Sequence, residues 1–142
     1  MRRRSRFQLL AVALLLFFLA SPGVAVALPA DGATIQHDIT CMGDVNPPTK
    51  SGSAVSVTGA VECTGSVDLA NTYITVQILE NGAWRNYGNV TTTSSTTRTL
   101  ILSDGATLKP GAWSYRGRIH REAFHGTWGT NDWYSASRSL QG

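Results

Sequence analysis

Leu108 to His120 reads LKPGAWSYRGRIH, a turn followed by the clearest amphipathic strand in the chain. Pro110-Gly111 is a turn pair, because proline presets one turn dihedral and glycine accepts the positive φ that turns require. After it, Trp113, Tyr115, Gly117 and Ile119 fall on one side of an extended chain, and Ser114, Arg116, Arg118 and His120 on the other. That period of two is the signature of a half-buried strand, here expected to be a central strand of a sandwich.

The same alternation recurs on either side of this stretch. Ile35, His37, Ile39 and Cys41 predict a first strand with its cysteine turned inward. Gly43 to Gly52 reads as a loop, since Asn46-Pro47-Pro48 bars a continuous central strand. Val55, Val57, Val61 and Cys63 share one parity, with Gly59 between them marking a bulge or a close backbone approach. Thr64 to Asn71 is a polar turn region, and Tyr73 to Leu79 a strand with Ile74, Val76 and Ile78 inward. Asn81-Gly82 is a strong hairpin signal, so Ala83 to Val90 should return antiparallel, with Trp84 and Tyr87 on opposite faces and Gly88 able to kink it.

Thr91 to Thr99, TTTSSTTRT, continues into Leu100-Ile101-Leu102 and suits a polar edge strand, because β-branched threonine favours extended backbone. A flexible or O-glycosylated segment is the alternative, and Asn89-Val90-Thr91 is a glycosylation sequon wherever the host has that machinery. Ser103-Asp104-Gly105 reads as a turn. Arg121 to Asp132 reads as a long connection, and Trp133 to Leu140 as the last strand. No helical period appears after the N-terminal region. About seven short strands at turn spacings near ten residues predict an all-β, antiparallel two-sheet sandwich, an immunoglobulin-like Greek key spanning residues 34–142.

The N-terminus predicts export. Arg2, Arg3, Arg4 and Arg6 precede a 12-residue apolar run, Leu9 to Ala20, and Ala25-Val26-Ala27 supplies small residues for cleavage, so residues 1–27 read as a signal peptide. The run is short of the roughly 20 residues a spanning helix needs, and no membrane attachment is expected after signal removal. Residues 28–33, with Pro29 and Gly32, read as a flexible arm. Four of the twelve basic residues leave with the signal and all nine acidic ones stay, so the mature chain carries a net charge of −1. That argues against a nucleic-acid partner, which needs a clustered basic surface where this chain offers only Arg116, Arg118 and Arg121.

Cys41 and Cys63 are the only cysteines. An even count in an exported chain predicts one disulfide. Because each cysteine ends an apolar alternation, pairing their strands antiparallel would put them at opposite ends. The bridge is therefore expected to link neighbouring sheets or a displaced strand end. The disulfide and tyrosine corner of antibody domains are not expected, since no cysteine follows Tyr115 by two residues.

Glu62-Cys63, the Asn-Gly turn in ITVQILENG (74–82), the Pro-Gly entry to an aromatic strand and a terminal WYSASRSL (133–140) together resemble the small secreted β-sandwich proteins of Streptomyces-type actinobacteria. Most of these have no assigned function. The resemblance implies a sandwich fold and an extracellular address, and no activity.

Candidate chemistry is sparse. His120, His125 and Asp132 lie close in sequence, but their spacing matches no familiar zinc motif, and no metal or cofactor is expected. No GxSxG is present, and nothing pairs two carboxylates for glycoside hydrolysis. The aromatic and glycine-rich run from Phe124 to Tyr134 is the sharper feature. Trp128, Trp133 and Tyr134 either cap the open end of the core or present rings to a partner, alongside the row Arg116, Arg118 and His120, which is either a solvated face or a docking surface. The leading expectation is a secreted, non-enzymatic binding module for an extracellular protein or glycan. A small extracellular hydrolase using Asp132 and an inhibitor of another secreted protein are the alternatives.

Overall fold

The computed structural model describes residues 38–142, which build β1 (Cys41–Val45), β2 (Thr49–Ser51), β3 (Ala54–Cys63), β4 (Leu69–Glu80), β5 (Ala83–Ser94), β6 (Thr99–Thr107), β7 (Ala112–His125), β8 (Thr127–Tyr134) and β9 (Arg138–Gln141). The expected signal peptide, the arm 28–33, and Ile35 and His37 of the expected first strand lie outside the described residues. The described residues form one compact unit.

All pairings are antiparallel, in two sheets. β3 is central in the first, with β1 and β2 in tandem along one edge and β6 along the other. In the second, the order is β5, β4, β7, and then β8 and β9 in tandem along the far edge. β3 and β6 are neighbours although β4 and β5, between them in sequence, belong to the other sheet. This is a Greek-key crossing, and counting each tandem pair as one interrupted edge gives seven strand lines. The sandwich fold is as expected, with β7 central in its sheet.

The inward parities meet between the sheets. Val55, Val57 and Val61 of β3 and Ile74, Val76 and Ile78 of β4 are buried against Tyr115 and Ile119 of β7. Each such side chain contributes about 1.5–3 kcal/mol by leaving water. Gly59 marks a close approach, not a bulge, since a Cβ there would lie 2.6 Å from both Asp44 O and Ile119 Cδ1. Tyr115 Oη accepts a hydrogen bond from Lys109 N at 3.0 Å, six residues upstream across the β6–β7 corner. The bond ties the start of β7 back to the corner that precedes it. The residue two on, Gly117, has no room for any side chain, because a Cβ there would meet Val45 Cγ1 at 2.7 Å.

Several boundaries differ from expectation. The first strand begins at Cys41, where the predicted one was to end. Cys41 thus starts its strand, Cys63 ends its own, and antiparallel pairing sets them directly opposite, bonded within one sheet with Cα atoms 4.0 Å apart. The Asn46-Pro47-Pro48 loop is only a break in an edge, as prolines require. TTTSSTTRT is not one strand: Thr91–Ser94 completes β5, Ser95–Arg98 crosses between sheets, and Thr99 opens β6. Nor is Ser103-Asp104-Gly105 a turn, because it lies inside β6. The expected connection Arg121 to Asp132 is instead a hairpin, with β7 running to His125 and Gly126, at φ 74°, turning directly into β8. The expected last strand is broken at Ser135–Ser137.

Candidate binding face

Antiparallel register fixes which side chains stand side by side, so the outer face of the five-stranded sheet reads as rows. Asn86, Gln77 and Arg116 form one, and Val90, Thr75, Arg118 and Tyr134 the next. Thr92, Tyr73, His120 and Asp132 follow, then Ser94, Asn71, Glu122 and Thr130. Although they face outward, Thr75 and Gln77 are only 3% and 5% exposed, because the long side chains beside them lie across the sheet.

At one end, the Arg116 guanidinium is held between two rings, 4.4 Å from the Trp84 centroid and 4.2 Å from that of Tyr134. Arg116 Nε donates to Gln77 Oε1 at 2.8 Å, and Gln77 Nε2 to Asn86 Oδ1 at 3.0 Å. Burial pulls the Arg116 pKa below its ordinary value, with Tyr134 opposing and Arg118 adding to the shift. The group stays charged at any physiological pH. A guanidinium between two aromatic faces is a cation–π clamp that fixes all three side chains.

Beside the clamp, Asp132 Oδ1 accepts from Arg118 Nε at 2.7 Å and lies 3.0 Å from His120 Nδ1. His120 Nε2 is 3.4 Å from Glu122 Oε1, and the His120 and Tyr73 rings sit 5.8 Å apart. Burial raises the Asp132 pKa, but the hydrogen bonds and charges of Arg118 and His120 outweigh it and hold the carboxyl below the ordinary carboxylate range. A hollow of about 210 Å³ opens over this network, lined by Tyr73, Thr75, Asn86, Arg118, His120 and Glu122, with Val90 at its side. Among the hydrogen bonds of the described residues, Asn86 Nδ2, Glu122 Oε2 and Tyr73 Oη are unclaimed.

Five of the six residues singled out from sequence, Arg116, Arg118, His120, Trp128 and Tyr134, share this face. Trp133 does not. It pairs with Ile119, points inward and packs over Gly43 of β1, closing the gap between the two sheets at their edges. Trp128 is 60% exposed and Tyr134 49%, so neither caps the core as the structural reading of the aromatic run supposed. Trp128 instead leans on Phe124, with centroids 5.5 Å apart, at the far end of the same face. Arg121, grouped with the basic row in sequence, faces inward and is buried. Trp84, Tyr73, Gln77 and Asn86 belong to the site without standing out in the sequence; the only signal for them is the outward parity of β4 and β5.

Among the described residues, no group of histidine, cysteine and carboxylate side chains is arranged to hold a metal ion, and no helix is long and apolar enough to cross a membrane. No protein-family model matches the chain, and no curated protein matches it. Among solved structures, the chain is similar to the ApaA protein from Bordetella pertussis at 15% identity, over 73% of this chain and 93% of that one, with a TM-score of 0.36, a likeness too loose to carry any argument.

Proposed function

We propose that this domain is a secreted, non-enzymatic binding module that presents the outer face of its five-stranded sheet to an extracellular glycan. The observation that carries this reading is the hollow beside the Arg116 clamp. It combines side chains already fixed by one another with unclaimed donors and acceptors at Asn86, Glu122 and Tyr73. A sugar offers hydroxyls that both donate and accept, and a C–H face that packs on rings. A preorganised polar network flanked by exposed aromatic rings matches both needs without ordering flexible side chains on binding. Export is supported by the arginine-led apolar N-terminus and by the disulfide, which persists in oxidising compartments.

Affinity electrophoresis through gels containing soluble polysaccharides tests the reading. At least one polysaccharide should retard the domain, and Glu122→Ala and Tyr134→Ala should each abolish the retardation while leaving the circular dichroism spectrum unchanged. No retardation across neutral and acidic polysaccharides, or retardation that both variants keep, would sink it.

A further inference from the structure

The opposite face of β7 carries a second feature, independent of the sheet surface. Arg121 is 2% exposed, and among the described residues its only hydrogen bond runs from Nη1 to Thr72 Oγ1 at 3.2 Å. Nε and Nη2 are buried without a partner among the described residues. These two nitrogens form one edge of the guanidinium, the side-on fork that matches a carboxylate with two parallel hydrogen bonds. Arg121 lines a cavity of about 330 Å³ at the end of the sandwich. The walls are the inward residues of the β7–β8 hairpin beyond Arg121, including His125, Thr127 and Asn131, faced by Asp38, Ile39 and Cys41. His125 Nδ1 is likewise buried without a hydrogen bond, 3.3 Å from Asp68 Oδ2.

Burying a guanidinium with two of three nitrogens unpaired is costly, and such groups persist where something completes them. We propose that this cavity is a binding site for a small organic monocarboxylate, held side-on by Arg121 Nε and Nη2, with Asn131 and Thr127 as neighbouring polar groups. The size is that of small-molecule pockets, and one charged fork among mixed walls is their usual chemistry. Asp38 in the wall, and Asp68 beside His125, disfavour a dianion such as phosphate. A planar monoanion adds one negative charge beside these carboxylates, where a dianion adds two, and still matches the guanidinium fork.

The test follows by NMR, in the full mature protein and its variants, the backbone amide resonances of the cavity-lining Thr127 and Asn131, together with Arg121 Nε–Hε in the wild type, titrated with sodium acetate and with N-acetylglycinate at constant ionic strength in sodium chloride. Saturable displacement by both acids, none by chloride, and loss of all saturable response in Arg121→Met are expected. That variant should fold, since it removes an unpaired buried charge. Arg121→Lys, which keeps the charge but not the fork, should weaken binding by about tenfold or more. Equal responses of the wild type and Arg121→Met would overturn the site, as would saturation by inorganic phosphate at lower concentration than acetate. Acetate binding that emerges only in Asp38→Asn would also overturn it, by showing that the protein's own carboxylate fills the fork. None of these outcomes depends on polysaccharide binding at the outer face.

Discussion

Asp104 shows how a single residue can be legible in composition and misread in place. Ser103-Asp104-Gly105 has turn chemistry, yet it sits within β6 with Asp104 buried. The reason lies 28 positions away. β5 carries extra residues around Gly88, at φ 84°, so Val76 of β4 has no partner in that ladder. Asp104 Oδ2 reaches across the sandwich to accept from Val76 N, and Oδ1 accepts from Thr91 Oγ1, both at 3.1 Å. A carboxylate here repairs a bulge in the other sheet, which no local pattern could reveal. Asp104→Ala strands a buried N–H and should destabilise the domain by about 2 kcal/mol, with Asp104→Asn, which keeps one acceptor, nearer wild type. Denaturant titration checks this through the midpoint at unchanged slope. A loss under about 0.5 kcal/mol would mean that Val76 finds another partner. Tyr115 is the converse case: its inward parity is legible in the sequence, whereas its hydrogen bond to Lys109 N becomes visible only once the corner is folded.

At the scale of elements, strands were legible where one face is apolar and obscure where neither is. β3, β4 and β7 alternate cleanly because their inward residues meet the core. β8 does not, because inward Thr127, Gly129 and Asn131 face the Arg121 cavity instead, so a regular strand carries the sequence pattern of a connection. The outer face was half legible. The β7 row stood out by its charges, whereas its β4 and β5 neighbours became visible only through register. The disulfide depends on the same issue, since its pairing was right and its geometry wrong through one misplaced strand boundary. As it clips an edge strand to β3 across a sequence separation of 22, replacing both cysteines by serine should cost roughly 3 kcal/mol in the chain-entropy model. The loss should appear first as faster amide exchange in β1 and β2, because an edge held on one side opens without global unfolding. Uniform loss of protection across both sheets would show that the clip stabilises the whole sandwich and not its edge.

For the whole molecule, ion pairs link segments distant in sequence around the five-stranded sheet. Lys109 Nζ meets Glu80 Oε1 at 2.6 Å, tying the β6–β7 corner to the end of β4, and Asp132 ties β8 to Arg118 and His120 of β7. The hydrogen bond and charge of Lys109 hold the Glu80 carboxyl below its ordinary pKa, and Asp132 is held below its own by Arg118 and His120 against the opposing effect of burial. A carboxyl depressed in the folded state binds protons more readily once unfolded. Its stabilisation is therefore complete above the unfolded value of about 4 and disappears as pH falls through the lower folded value. Melting temperature should hold steady from neutrality to about pH 5 and then fall. Both groups are solvent-accessible, so the fall should be modest and smaller still in high salt. Glu80→Gln with Asp132→Asn should flatten the acid limb while leaving the neutral value slightly lower. If the double variant loses stability with acid as steeply as the wild type, other carboxylates govern the acid response.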